Sequence, residues 1–304
     1  MEHIHWYPGH MAKTKKAILN DIKLVDIVIE LLDARIPYSS KNYDIDNWTQ
    51  GKLKILVLNK VDLADPKSTK IWETHFKEQG KHVIQINAKQ GQGIKEVTAA
   101  ADELMKDKLQ RLKERGRIFK PTRAMIVGIP NVGKSTFINS YVKKSIAKVA
   151  NKPGVTRTNQ WIKINKGFEL LDTPGMLPPR MDDQESALHL ALAGSIGYKI
   201  DVDYLAIKFI EILKNKYPHI LIDRYKVTEL EDKSLEDIFY QIATNRSILM
   251  KGSKIDSTRC ANMLLDEFKS NKLEKITLEL PKTADELAEL ARKSAEIDKR
   301  LKEK

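Results

Sequence analysis

The chain has 304 residues, 41% hydrophobic and 31% charged, a length that suits two ordinary domains with packed cores and a well-solvated surface. Lysine and arginine number 53 against 41 aspartates and glutamates, and this formal net charge of +12 points to a polyanionic partner. A single cysteine, Cys260, excludes an intramolecular disulfide and a cysteine-clustered zinc site. No run reaches the ~18 uninterrupted apolar residues of a membrane span, and the first residues lack a signal-peptide core, so a soluble cytoplasmic protein with no membrane partner is expected.

Residues 25–32 (VDIVIELL), apolar and β-branched, predict a strand ending at Asp33-Ala34-Arg35-Ile36-Pro37. A second strand over 54–58 (KILVL) runs into Asn59-Lys60-Val61-Asp62, and a third over 82–86 (HVIQI) into Asn87-Ala88-Lys89. Residues 68–80 between them read as a helix closed by glycine. Strands alternating with helices argue for βα units and a mainly parallel sheet. Residues 93–115 turn helical and increasingly charged, and 116–121 break the pattern as a linker. A strand over 124–127 then precedes the loop 128–135, and a helix starts at about Lys134. Segments 160–164 and 168–171 predict a hairpin turning at Asn165-Lys166-Gly167, whose second strand ends at Asp172-Thr173-Pro174-Gly175.

Beyond Pro178-Pro179 the pattern is helical over 182–270, with Leu205, Phe209, Ile212 and Leu213 spaced along one such segment. The predicted organisation is an α/β domain over 1–180, an all-helical domain over 181–282 and a helical tail over 283–304, docked or frayed. No internal repeat is visible.

The loop Gly128-Ile129-Pro130-Asn131-Val132-Gly133-Lys134-Ser135 fits the spacing G-x-x-x-x-G-K-[ST]. Its glycines let the backbone N–H groups turn inward around phosphates, Lys134 reaches the β- and γ-oxygens, and the Ser135 hydroxyl binds Mg²⁺. Asn131, Val132, Gly133, Lys134, Ser135 and Thr136 are therefore the expected phosphate cradle, at the positive end of the following helix. Asp172, at a strand end, suits the Mg²⁺ shell, and the Gly175 N–H suits a γ-phosphate sensor. Alone, Asp-Thr-Pro-Gly is also an ordinary turn.

Asn59, Lys60 and Asp62 sit at a strand-to-loop junction. A carboxylate there accepts from N1–H and N2–H₂ of guanine, donors that adenine does not offer, and a mismatched base leaves buried polar groups unpaired. Asn87 and Ala88, after the next strand, are placed to offer a backbone N–H to the guanine O6. GTP and GDP are the expected ligands.

Together these motifs resemble the translation-factor-related class of GTPases with their order changed. The base-reading motifs precede the phosphate loop, as in a circularly permuted P-loop GTPase domain. The helix near 93–115 would join the old ends, an arrangement that exposed chain termini tolerate. Trp6-Tyr7-Pro8-Gly9-His10-Met11, Asp33-Ala34-Arg35-Ile36-Pro37 and Asn151-Lys152-Pro153-Gly154-Val155-Thr156 sharpen the likeness to the bacterial ribosome biogenesis GTPase A family. That resemblance covers about 1–180. It implies a GTP hydrolase that binds a late precursor of the large ribosomal subunit and its rRNA, promotes its maturation, and is monomeric off the ribosome, with no DNA partner. It also implies that Thr156 is the switch threonine closing on Mg²⁺ and the γ-phosphate; a plain loop threonine is the alternative.

Signalling GTPases place a water-orienting glutamine after Asp-Thr-Pro-Gly, where this chain has Met176. A thioether cannot orient water, so slow intrinsic hydrolysis is expected. His10 is the first candidate for the missing group, its alternative role being to pack or cap the amino-terminal segment. Arg35 and Arg157 either stabilise developing charge or make structural or RNA contacts. Asn131 either helps bind a potassium ion beside the phosphates, as in related GTPases, or bonds only its own backbone.

From 141 to 168 the chain carries Lys143, Lys144, Lys148, Lys152, Arg157, Lys163 and Lys166 with no acidic residue, and Arg246, Lys251, Lys254 and Arg259 cluster further on. These runs are either solvated faces or phosphate-backbone contacts. The switch segment after Gly175 leads directly into the helical region, so loss of γ-phosphate contacts is expected to reorient it.

Overall fold

The computed structural model describes residues 10–116, 121–145, 160–177, 183–196, 200–252, 254–270, 272–283, 285–287, 289, 290 and 292, with 10–14, 143–145 and 160 described in backbone alone. Six strands, β1 Ile27–Asp33, β2 Leu53–Asn59, β3 His82–Ile86, β4 Thr122–Val127, β5 Gln160–Asn165 and β6 Phe168–Asp172, form one sheet in the order β3-β2-β1-β4-β6-β5. All neighbours are parallel except β5 and β6, which make the expected hairpin. β1 is buried along its whole length because helices cover both faces, which is why it reads as a nearly unbroken apolar run. Of its two acidic residues, Glu30 is paired with Lys41 at 3.0 Å.

Helix α3 (Pro66–Glu78) links β2 to β3 and starts where Asp65 accepts from the amides of Lys67 and Ser68. It buries Trp72 and Phe76 over the sheet, side chains one helical turn apart. Helix α4 (Ile94–Glu114) links β3 to β4 and is the join that a permuted order requires. Helix α5 (Lys134–Ser145) follows the phosphate loop. Two elements were not expected: α1 (His10–Asp21) and the short α2 (Tyr43–Trp48), which Asn42 caps.

The second half contains α6 (Gln184–Leu192), α7 (Val202–Lys216), α8 (Pro218–Asp223), α9 (Leu235–Asn245) and α10 (Ser257–Lys269). Helices α7 and α10 form its centre, where the rings of Phe209 and Phe268 lie 5.0 Å apart. Among the described residues no helix is long and apolar enough to cross a membrane.

Residues 272–283 follow the helical pattern that ends at 270 and form neither helix nor strand. Ile276 and Thr277 are β-branched, and Ile276, Thr277, Leu278 and Glu279 are all buried, a pattern without a helical face. This strap lies against the α/β half. The amides of Ile276 and Leu278 donate to the carbonyls of Leu63 (3.0 Å) and Arg35 (2.8 Å), and Trp72 Nε1 donates to the carbonyl of Glu279 (3.0 Å). From the helical side, Tyr217 donates to the Thr277 carbonyl at 2.9 Å.

Candidate functional site

The carboxyl ends of the parallel strands share one edge of the sheet, and the chain reverses its winding direction between β1 and β4. Open α/β sheets bind ligands at that crevice. Asp33 and Asn59 lie on the same rung there, Asn87 and the phosphate loop follow the ends of β3 and β4, and Asp172 is the last residue of β6.

The phosphate loop needs its glycines. Gly133 has φ +103, and a Cβ on it would meet the Asn59 side-chain nitrogen at 2.4 Å. A Cβ on Gly175 would lie 2.7 Å from the Pro130 nitrogen and 3.1 Å from Lys134 Nζ, so the Asp-Thr-Pro-Gly turn is pressed against the loop. Lys134 is buried and donates to the carbonyls of Gly128 and Ile129, both at 2.9 Å. Burial pushes its ammonium down to about 8, with Asp172 pulling the other way. Ser135 and Thr136 are exposed. With Pro130, Asn131, Asp172 and Gly175 they line a cleft of about 380 Å³. Asp172 is buried, as is Thr173, which also lines the cleft and whose hydroxyl donates to the Ile126 carbonyl at 2.6 Å. Met176 is also buried, its side chain 3% exposed and its amide bonded to the Gly128 carbonyl at 3.2 Å.

On the base side, Asn59 Nδ2 donates to the Val132 carbonyl at 2.9 Å and its Oδ1 accepts from the Ala88 amide at 3.1 Å. The Ala88 amide, expected to face the guanine O6, is thus engaged within the protein. Ser140 of α5 donates to the Ala88 carbonyl, and Asn87 Oδ1 accepts from the Gln90 amide at 3.1 Å. Lys60, held at φ +65, donates to Asp33 Oδ2 and to the Asn131 carbonyl, both at 2.8 Å. Asp62, two residues further on, is half-buried and within electrostatic reach of Arg35.

Asp33 is the residue that sequence reasoning left without a role. It is fully buried and takes Arg35 Nε (3.0 Å) and Nη2 (2.8 Å) in addition to Lys60. Burial opposes its ionisation, but Arg35 and Lys60 overcome this and hold its carboxyl well below the usual carboxylate range. Its place at a strand's carboxyl end, like Asn59 and Asp172, was the available signal. Arg35 is buried as well, so of the roles open to it the structure keeps the structural one and excludes exposed RNA contact.

Asn131 donates through Nδ2 to the Gly194 carbonyl just after α6, at 2.7 Å, so its partner is the helical half and not its own backbone. No sequence signal marked Gly194. Thr156 and Arg157 lie outside the described residues. His10 opens α1, and its side chain lies outside them too. Arg246, Lys251, Lys254 and Arg259 are exposed around the connection from α9 to α10, which Leu249 and Ile255 close as an antiparallel bridge. Among the described residues no His/Cys/Asp/Glu group forms a metal cage. A serine hydroxyl above one buried carboxylate, in an open cleft, fits a Mg²⁺ that arrives with a polyphosphate.

Residues 11–181 match the RsgA GTPase family model and 123–250 match that of the 50S ribosome-binding GTPase family. The chain is 45% identical to ribosome biogenesis GTPase A of Bacillus cereus, over 97% of this chain and 99% of that protein. It is 33% identical to ribosome biogenesis GTPase A of Thermotoga maritima, over 91% of this chain and 94% of that one. Among solved structures it resembles GDP-bound YlqF of T. maritima, with a TM-score of 0.64 at 30% identity, over 88% of this chain and 99% of the other. The GNP-bound form of YlqF gives a TM-score of 0.58 at 29% identity, over 88% and 100%.

Proposed function

This chain belongs to the ribosome biogenesis GTPase A family and is a GTP hydrolase, and from that premise we propose that a precursor of the large ribosomal subunit is the partner that stimulates its hydrolysis. The observation that carries the proposal is the burial of Met176 at the position of the water-orienting group. A core thioether leaves that task to another residue or to a partner, so turnover awaits a signal.

In this reading Asp62 reads the guanine edge, Lys60 spans from the base side to the phosphate loop, and Asn59 ties that loop to Ala88. Lys134 exchanges the carbonyls of Gly128 and Ile129 for phosphate oxygens, where its charge is stronger than between neutral acceptors. Val132 and Gly133 offer backbone amides. Ser135 and Thr156 hold Mg²⁺, with Asp172 behind them and Thr136 beside Ser135; the ion neutralises charge on the phosphates when bound. Gly175 reports the γ-phosphate, and its close packing on Pro130 makes it sensitive to loop position. His10 positions the attacking water once the particle docks. A potassium ion beside the phosphates belongs to the same reading, with Asn131 as its side chain.

The exposed Arg246, Lys251, Lys254 and Arg259, together with the +12 charge, support rRNA contact by a helical domain over 181–282. The site residues, the domain bounds, a cytoplasmic location and a monomeric state off the ribosome are parts of this proposal. Hydrolysis by the pure protein, in potassium and in sodium, with and without large-subunit precursors, tests it. Stimulation that His10→Ala abolishes is the expected result.

A further inference from the structure

The Lys60 ammonium is held by Asp33 and by the Asn131 carbonyl of the phosphate loop at once. Its orientation therefore depends on where Asp33 presents its carboxylate. That carboxylate is shared: Oδ1 accepts from Arg35 Nε and from the Arg35 amide, and Oδ2 accepts from Arg35 Nη2 and Lys60 Nζ. Arg35 in turn is seated by the second half of the chain. Its guanidinium carbon lies 4.9 Å from the centre of the Phe268 ring on α10, and its carbonyl accepts the Leu278 amide of the strap at 2.8 Å. Arg35 Nη1 is buried without a hydrogen-bond partner, so beyond Asp33 this cation is balanced by the Phe268 ring and, at longer range, by the Asp62 carboxylate.

We propose that Arg35 is a positioning residue that couples the seating of α10 and the strap to nucleotide affinity, through Asp33 and Lys60. The inference rests on the reading of Asn59-Lys60-Val61-Asp62 as the guanine-binding loop. The contacts form a continuous chain from Phe268 through the buried Arg35 and Asp33 and the half-buried Lys60 to the phosphate loop. A partner that lifts α10 from the α/β half removes the ring and the Leu278 amide from Arg35 and loosens the Asp33 carboxylate that aims Lys60. Coupling of this kind is reciprocal: a bound nucleotide holds α10 down by the same factor by which α10 favours the nucleotide. The route is separate from the switch segment, so it acts on GDP as well as GTP. It makes release of either nucleotide responsive to what the helical half is bound to.

The experiment measures GDP affinity of the full chain for Phe268→Leu, which keeps an apolar side chain but removes the ring face, beside Phe239→Leu on α9 as a control. Phe239 is buried in the same half and has no contact with Arg35 among those described. The expected result is a GDP Kd raised about fivefold or more by Phe268→Leu. Phe239→Leu should leave it unchanged at a comparable loss of thermal stability. Arg35→Lys, which keeps the charge but loses the two-pronged grip on Asp33, should match Phe268→Leu. An unchanged Kd in Phe268→Leu, or an equal rise in both phenylalanine variants, overturns the proposal.

Should Phe268→Leu fail to fold, hydrogen exchange of the wild-type protein decides. GDP should slow exchange at Leu278 and in α10 more than in α9, and equal or absent slowing overturns the coupling. Asp62→Asn, assayed in parallel for xanthosine diphosphate binding, separates the two claims. If it fails to switch base preference, the guanine-loop reading itself is at fault. If it switches while Phe268→Leu is silent, only the coupling is wrong.

Discussion

Asn59 donates its side-chain amide to the carbonyl of Val132 at 2.9 Å, across a separation of 73 residues. The bond joins the end of β2, which leads to the proposed base-reading Asp62, to the phosphate loop. A permuted chain order has left this junction intact, because the sheet brings β2 and β4 to one edge whichever is synthesised first. The remaining Asn59 acceptor takes the Ala88 amide, so one side chain holds three loops in register.

Gly133 is where that junction is tightest. Gly133→Ala places a methyl group 2.4 Å from the Asn59 nitrogen at a φ of +103. The loop must then shift or strain by roughly 1–3 kcal/mol. Isothermal titration should show GTP and GDP affinity lowered by about tenfold or more, with the far-ultraviolet circular dichroism unchanged.

Asp62→Asn replaces the proposed acceptor for guanine N1–H and N2–H₂ with an amide. GTP affinity should fall by roughly 100-fold or more and xanthosine nucleotides should bind instead, since a mismatched base leaves polar groups unpaired. Competition of both nucleotides against a fluorescent GDP reads this directly. Retained guanine preference contradicts the assignment of Asp62.

Lys134 makes nucleotide binding depend on pH in a stated direction. Its free-state value of about 8 means that it is charged at pH 7, and binding a polyphosphate there needs no proton. Above pH 8 binding must take up a proton, and Kd should rise about tenfold per pH unit until the value of the complex is reached. The same depressed value has a consequence for folding. Between pH 8 and the unfolded lysine value near ~10.4, the unfolded chain holds more protons, so this group's contribution to stability rises with pH. Calorimetry in two buffers of different ionisation enthalpy measures the proton uptake.

Glu279 fastens the strap. It accepts from the Ser39 amide at 2.7 Å and meets His189 Nδ1 at 2.9 Å, with all three residues buried. Glu279→Ala leaves buried donors unpaired and should lower unfolding free energy by about 3 kcal/mol in urea titration. Glu279→Gln, which still accepts at one oxygen, should cost less.

The strands and the site motifs were legible in the sequence for two physical reasons. A parallel sheet covered on both faces demands continuous apolar runs, and loops that touch phosphate demand glycine, lysine and serine at fixed spacing. Residues 54–58 and 128–135 show both demands plainly. What was not legible depends on contacts made far along the chain. The strap owes its course to the carbonyls of Leu63 and Arg35, more than 200 residues earlier, as the separation of 212 between Asp65 and Thr277 illustrates. Asp33 shows only an acidic residue at a strand end until folding sets Lys60 and Arg35 around it. Asn131 reaches Gly194 in a loop that carries no motif. Helix α2 is six residues long, too short for a periodic signal.

The central claim is that hydrolysis waits for the ribosomal particle, and the most direct test is single-turnover GTP hydrolysis with and without purified large-subunit precursors. The account predicts slow turnover by the free protein, a rise of roughly 10-fold or more on adding the particle, and loss of that rise in His10→Ala with GTP binding retained. Fast hydrolysis by the free protein, or tight GTP binding that no ribosomal particle stimulates, would contradict it.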